Sequence, residues 1–394
     1  MKNMSSSKIL EDIRILDFTH VWFGPYCTMM LADLGAEVIL VEPPWGNIGR
    51  FGPGALFKGT STSFYALNLN KKGIAVDLKS EEGKDIVKEL IKTSDIVVQN
   101  FVPGTLEKLG LGYEVQKELN DDIIYAALSG FGQDGPYSKY ASYAVIAEAV
   151  SGHTRANARR VVGDGPPSSL AGAIGDLGPA TMAAFGIMAA LRHRDRTGEG
   201  QKLDVNQVDT MVSFNTCSSV GWAMFEDSGT PRPERRRRGQ DPTSVGGMYK
   251  VKDGWVQLMG ARAKAMENLK TALGTEEVTK DLVNEEIKDM TRREAFQFLA
   301  GLGFPAAPVY EAYESMDDPH LLARNMWKKV PQSNVGEYRV PNFPVKLYNT
   351  PGEPTFGAPQ LGEHTEDVLT NILGYSTEKV AELEKASKVV CWRK

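Results

Sequence analysis

Five short apolar runs organise the first third of the chain: Ile13 to Phe18, Val38 to Val41, Ile74 to Leu78, Asp95 to Gln99 and Ile123 to Leu128. Each is bounded by turn or polar residues and is too short and too evenly apolar for a surface helix, so each predicts a buried strand. Tyr26 to Leu34, stopped by Gly35, and Ser80 to Thr93 carry helical spacing between them. Strand, helix and strand over so short a span predict a right-handed βαβ unit and a parallel sheet. Another helix begins near Tyr143. A long apolar helix follows Asp176, and a glycine-punctuated turn from Arg196 leads to a β-like run ending at Val205, with a further helix from Asn206. Beyond Thr216 the pattern changes. Glu226 to Gln240, with two prolines and four consecutive arginines, reads as an exposed linker. A smaller α+β segment comes next, with helices Ala265 to Leu273 and Thr291 to Ala300 and a proline-interrupted edge strand from Phe304. Gly362 to Lys388 predicts two amphipathic helices that pack back onto the first domain.

At 394 residues, with 42% hydrophobic and 24% charged residues, the chain has room for two full cores. Its net charge of -5 provides no general attraction to nucleic acid or an anionic membrane, so neither partner is expected. Cys27, Cys217 and Cys391 are far apart and the five histidines show no paired spacing, which speaks against a disulfide framework or a metal site. No apolar run reaches the roughly 18 residues of a membrane span, and the first residues lack a signal-peptide core. A cytoplasmic location is therefore expected.

Several positions could carry chemistry. The opening βαβ pattern and Glu42 at a strand end invite a dinucleotide reading, but Thr19 to Tyr26 contains only Gly24, and a pyrophosphate needs more glycine than that. Asn70, Lys71 and Lys72 read as a turn before a strand, either simply solvated or neutralising phosphates beside a nucleotide site. Ser129 to Tyr137 packs three glycines and a proline into a tight loop at a strand's C-terminal end, the edge where α/β sheets bind ligands. Asp176 follows Gly175 at the start of the long helix, with Pro179 read as part of the first turn. The helix dipole favours an anion there, and the residue is either an N-cap or something more reactive. Arg235 to Arg238 is either solvated or a phosphate contact.

The stretch LDFTHVWFGPYCTMMLADLGAEVILVEPP, the motif Asn100-Phe101-x-Pro103-Gly104, the loop Ser129-Gly130-Phe131-Gly132-Gln133-x-Gly135-Pro136 and residues 171–212 together resemble the type III CoA-transferases, the group of formyl-CoA transferase and crotonobetainyl-CoA:carnitine CoA-transferase. The resemblance implies a doubly wound parallel-sheet large domain (1–225), a smaller α+β domain (226–325) and a C-terminal return (326–394), in an interlocked homodimer. It implies coenzyme A, carried as acyl-CoA, and a carboxylic acid as substrates, without a metal. Asp176 maps to the family's acylated aspartate. His20, Val21, Asn100, Phe101, Lys108 and Leu109 map to positions near CoA, to which Lys71 and Lys72 are added as phosphate neutralisers. Trp22, Tyr143, Gly246 and Gly247 are candidates around the acyl group, with Gly260 an alternative for the closing glycine loop.

Two departures narrow the reading. Trp22 stands where formyl-CoA transferases commonly carry glutamine, which suits a bulkier acyl group or simple loop packing. Tyr143-Ala144 replaces the His-Asp pair of the racemases in this superfamily, which argues against proton abstraction; the tyrosine is either a donor near the acyl group or a core aromatic. A carboxylate with an ordinary pKa of about 3.9 is already ionised at pH 7 and needs no base. The expected route runs through an aspartyl anhydride and an aspartyl-CoA thioester. An acyl-CoA isomerase or racemase on the same scaffold, or a CoA-binding protein without turnover, are the competing readings.

Overall fold

A computed structural model describes residues 8–161, 166–170, 172–231, 244–260 and 263–393; Arg235 to Arg238 lie outside the described residues. The chain divides into two compact units, Met1–Trp222 with Asn325–Lys394, and Ala223–Arg324.

The first unit is built on β1 (Arg14–Asp17), α1 (Phe23–Asp33), β2 (Glu37–Glu42), β3 (Lys71–Val76), α2 (Glu81–Ile91), β4 (Ile96–Gln99), α3 (Thr105–Lys108), β5 (Ile124–Ser129), α4 (Ala144–Val150), α5 (Ile174–Thr197), β6 (Lys202–Asn206), α6 (Gln207–Phe214) and the start of α7 (Thr216–Ser228). Six strands pair in parallel in the order β3-β2-β1-β4-β5-β6, and Val389–Val390 adds antiparallel beside β3. The two-residue period of the strands sends Ile15, Val38, Ile96, Val98 and Ile124 to one face, against Cys27 and Leu31 of α1 and Ala183 and Ile187 of α5. Leu16, Ile39, Val97 and Tyr125 go to the other, against Ile86 and Leu90 of α2 and Val368, Leu369 and Val380 of the C-terminal helices. Both faces are covered, which is why the strands read as continuous apolar runs rather than alternating ones. Helix α5 is apolar and long enough to span a bilayer by length and composition, but Ala180, Ala183, Ile187, Ala190 and Leu191 bury its inner face in this core.

Strands β1, β2 and β3 run outward in succession, and β4 then returns to pair with β1 on its opposite side. The chain order reverses between β1 and β4, so the loops leaving their C-terminal ends diverge there, the place where sheets of this kind bind ligands.

In the second unit, β7 (Gly247–Val251), β8 (Gly254–Leu258) and β9 (Ala306–Pro308) form an antiparallel sheet in the order β9-β8-β7. Helices α8 (Ala263–Leu273), α9 (Lys280–Ile287) and α10 (Arg292–Gly301) cover it through Leu269, Val283, Ile287 and Leu299. The sequence pattern did not predict α9. Val283 and Ile287 are its buried residues, too thin a stripe to register as periodicity.

Candidate active site

At the β1/β4 reversal the loop after β1 is fastened by a side chain from the loop after β4. Asn100, just past β4, accepts the backbone N–H of His20 through Oδ1 at 3.0 Å and donates Nδ2 to the His20 carbonyl at 2.9 Å. The Phe101 ring lies 5.6 Å from the imidazole, and burial holds the His20 pKa below its ordinary value. Val21 adopts φ 66°, a left-handed conformation that a β-branched residue enters only at a cost of about 1–3 kcal/mol. Trp22 precedes α1 with its indole N–H enclosed and without an acceptor among the described residues. Lys108 is exposed at the end of α3, while Leu109 packs on the core. The sequence thus nominated six residues, His20, Val21, Asn100, Phe101, Lys108 and Leu109, that share the C-terminal edge of β1 and β4.

Lys71 and Lys72 do not belong to that edge. Strand β3 starts at Lys71, so both residues lie at the opposite, N-terminal end of the strands, and Asn70 (φ 60°) makes the turn before them. Lys71 is 0% exposed; its Nζ sits 3.0 Å from Asp17 Oδ2 and donates to the carbonyl of Pro25 and to Asn68 Oδ1. The remaining capacity of Asp17 is taken by the Thr19 N–H at 2.8 Å and the Thr28 hydroxyl at 2.6 Å, so this buried pair underpins the loop that carries His20 to Trp22. Lys72 pairs with Glu37 at 3.0 Å and Asp367 at 3.2 Å. Glu42 holds no ribose either: Arg50 occupies both its oxygens, at 2.8 and 2.6 Å, and lies over the Phe64 ring. A further basic group beyond the C-terminal ends of the strands is Lys79, past β3, 5.4 Å from the ring of Trp45 past β2. These two are 34 positions apart in sequence, so no local pattern pointed to them.

Asp176 lies in the first turn of α5, and its side chain caps nothing. Ala173 at φ 51° starts the helix, with its carbonyl accepting the N–H groups of Asp176 and Leu177 at 2.9 and 3.1 Å. The helix begins earlier than the sequence reading placed it, so Pro179 falls in the second turn, where it removes a helical N–H rather than an unused one. The capping role belongs to Glu148 of α4. This fully buried carboxylate accepts the N–H of Gly175 at 3.3 Å and of Leu170 at 3.2 Å. Residue 175 must be glycine, since a Cβ there would come within 2.5 Å of the Ala144 carbonyl oxygen. Tyr143, 62% exposed, therefore precedes the residue packed against the Asp176 segment.

One further residue meets Asp176 and a second holds that residue in place, neither having been nominated. Gln207, the first residue of α6 and 4% exposed, donates Nε2 to Asp176 Oδ1 at 2.5 Å. Ser142 donates its hydroxyl to Gln207 Oε1 at 3.1 Å, and it fits there because residue 130 lacks a Cβ that would lie 2.1 Å from its own. The Asn206 side chain caps α6 through the N–H of Asp209, fixing the backbone that presents Gln207. Gln207 heads α6 and Ser142 lies in the loop before α4, and nothing in either stretch of sequence announces the pairing. Burial pushes the Asp176 pKa up to about 6; the Gln207 hydrogen bond opposes the rise and the neighbouring Glu148 charge adds to it. Asp176 is thus a partly buried carboxylate with one oxygen held and poised to ionise near neutrality, not one with an ordinary pKa.

In the second unit, a Cβ on Gly246 would come within 3.2 Å of the Gly260 backbone nitrogen, and Gly247 opens β7. Among the described residues no cluster of three or more His, Cys, Asp or Glu side chains could hold a metal ion.

The profile of CoA-transferase family III matches residues 10–365. The chain is 33% identical to succinyl-CoA–D-citramalate CoA-transferase of Chloroflexus aurantiacus, across 99% of this chain and 100% of that protein. It is 34% identical to formyl-CoA:oxalate CoA-transferase of Streptomyces coelicolor, across 98% and 100%. A CaiB/BaiF family protein from Brucella suis superposes with a TM-score of 0.79 at 27% identity, covering 93% of this chain and 99% of that one. A family profile spanning nearly the whole length and relatives matched end to end agree with the doubly covered parallel sheet, and this chain belongs to CoA-transferase family III.

Proposed function

We propose that this enzyme moves CoA from an acyl-CoA donor to a carboxylic acid acceptor through covalent intermediates on Asp176. The observation that carries the reading is the carboxylate itself, partly buried, with Oδ1 engaged by Gln207 and Oδ2 without a hydrogen-bond partner among the described residues. Oδ2 attacks the donor thioester carbonyl, its C–S bond breaks, and an aspartyl mixed anhydride and CoA thiolate form. The thiolate then attacks Cγ of Asp176, giving an aspartyl-CoA thioester and releasing the donor acid. An acceptor carboxylate reverses the two steps. Two easier displacements replace one difficult exchange, and water must be kept from both intermediates. Acyl-CoA with hydroxylamine should convert Asp176 to its hydroxamate, read by peptide mass spectrometry; an unmodified Asp176 in an active enzyme would refute the route.

CoA fits the strand reversal, with His20, Val21, Asn100 and Phe101 along it and Lys108 and Lys79 supplying positive charge for its phosphates. Strands β1 and β6 are three strand spacings apart, roughly 14–15 Å, a span that an extended pantetheine arm bridges. Relatives are named for succinyl-CoA and formyl-CoA. Trp22 and Tyr143 favour a multi-carbon acyl group over formyl, and a screen of acyl-CoA donors against acid acceptors tests this. Tyr143-Ala144 offers no imidazole for a racemase, so solvent deuterium should not enter the acyl chain during turnover.

A pH prediction follows from Asp176. Its carboxyl is protonated, and so non-nucleophilic, below its raised pKa, so kcat/KM should fall on the acid side of about pH 6 rather than near pH 4. A profile that stays flat down to pH 4.5 would contradict the burial described here.

The enzyme works as a homodimer in the cytoplasm on this reading. Phe185, Phe214, Val220 and Trp222 are between 47% and 68% exposed, and α7 buries none of its residues; large apolar side chains left in water on three helices suit a subunit interface. Sedimentation should give twice the 43.2 kDa chain mass; a stable monomer would count against it.

A further inference from the structure

We propose that the Gln207 side-chain amide is the oxyanion donor for the aspartyl half of the reaction: it stabilises the charge that collects on Asp176 Oδ1 when the acylated aspartate is attacked at Cγ. The inference rests on the reading of Asp176 as nucleophile.

The geometry supports a donor whose direction is fixed beforehand. An ionised carboxylate only accepts hydrogen bonds, so the atom 2.5 Å from Oδ1 must be the amide nitrogen. The amide oxygen then faces the Ser142 hydroxyl, which donates to it. Gln207 is 4% exposed, so water does not compete, and the Asn206 cap holds its backbone at the head of α6. No reorientation is needed when charge develops.

The two chemical steps use this donor differently. During attack on the donor thioester, Asp176 begins as an anion and loses charge, so the amide favours the starting state and contributes nothing to the rate. In the next step the aspartyl carbonyl starts neutral. The thiolate sulfur bonds to Cγ and the carbonyl π pair moves onto Oδ1, where the amide meets it. The pair returns, the Cγ–Oδ2 bond breaks, and the donor carboxylate leaves with Oδ2. The acceptor carboxylate attacks the same Cγ in the return half, pushes charge onto the same Oδ1, and supplies the oxygen that restores the aspartate. Only attack at the aspartyl carbon is helped.

The test separates these steps. Gln207→Leu should lower overall transfer by about 10²–10³-fold, with KM for acyl-CoA changed by less than about threefold. Mixed with acyl-CoA and a thiol reagent at about pH 9, where Asp176 is ionised with or without the hydrogen bond, it should release CoA thiolate at least as fast as the wild type, while intact-mass measurements without the reagent show the aspartyl-CoA adduct forming as slowly as transfer falls. Ser142→Ala leaves Asp176 and the amide in place but frees the amide to turn, and should slow adduct formation alone by about 10-fold. Wild-type adduct formation in Gln207→Leu, or equal slowing of thiolate release and adduct formation, would overturn the proposal. If Gln207→Leu does not fold, an unchanged Ser142→Ala enzyme overturns it instead. A CoA adduct that still forms in Asp176→Asn would instead refute the nucleophile itself, so the two failures are distinct.

Discussion

Replacing Asp176 with asparagine is expected to lower CoA transfer by about 10⁴-fold or more while making the protein more stable. The loss follows because an amide is no nucleophile toward a thioester, and Glu148, the carboxylate beside Asp176 among the described residues, is fully buried and committed to two backbone N–H groups. The gain in stability has a separate cause. Burial and the Glu148 charge raise the Asp176 pKa to about 6, so the ionised carboxylate is less at ease in the folded protein than in the unfolded chain at neutral pH. For an acid with a raised pKa, stability lost to the charge returns as pH falls through about 6 toward the ordinary carboxylate range. Asparagine keeps the Gln207 hydrogen bond through its carbonyl oxygen and removes the charge. A gain of about 1–3 kcal/mol at pH 7.5, vanishing near pH 4, should appear in denaturant titrations. Retained transfer activity would end the covalent mechanism. Lost activity without added stability would show that the carboxylate is better solvated than its surroundings indicate.

Lys71→Met should be among the most damaging single changes in the first unit. It leaves Asp17, itself 0% exposed, with the Thr28 hydroxyl and the Thr19 N–H but no countercharge. Removing one partner of a buried ion pair costs about 3–5 kcal/mol. The loop from Thr19 to Trp22 stands directly on Asp17, so acyl-CoA binding should be lost along with stability. Adding Asp17→Asn to Lys71→Met should recover much of the stability, because no uncompensated charge remains and the Thr28 hydroxyl can turn to accept from the new amide. Thermal unfolding of the single and double variants checks this. A Lys71→Met protein as stable as the wild type, with weakened CoA affinity alone, would restore the view of Lys71 as a phosphate ligand.

The contrast between the two predictions shows what could be read in the chain. The place of Asp176 at the head of its helix was legible because its signal is local: a glycine, a carboxylate and a long apolar helix in succession. The strands were legible for a similar reason, since burial on both faces writes an unbroken apolar run. Lys71 was misread. A Lys-Lys pair beside an asparagine has the local chemistry of a solvated turn, and only the placement of Asp17 from another strand turns the first lysine inward. Glu42 posed the same problem, because its partner Arg50 is eight residues away around a loop.

By itself, the sequence determined the class of fold, the succession of its strands and helices and the nomination of Asp176, all of which rest on short-range periodicity or contiguous motifs. The tertiary structure alone decided which oxygen of Asp176 is held, that Gln207 holds it and Ser142 holds Gln207, that Glu148 caps its helix, and which lysines face solvent. Hydrogen bonds and ion pairs act over about 3 Å in space between groups that can be any distance apart in sequence. Such pairings are set when the strands take their order in the sheet, and no window along the chain contains them.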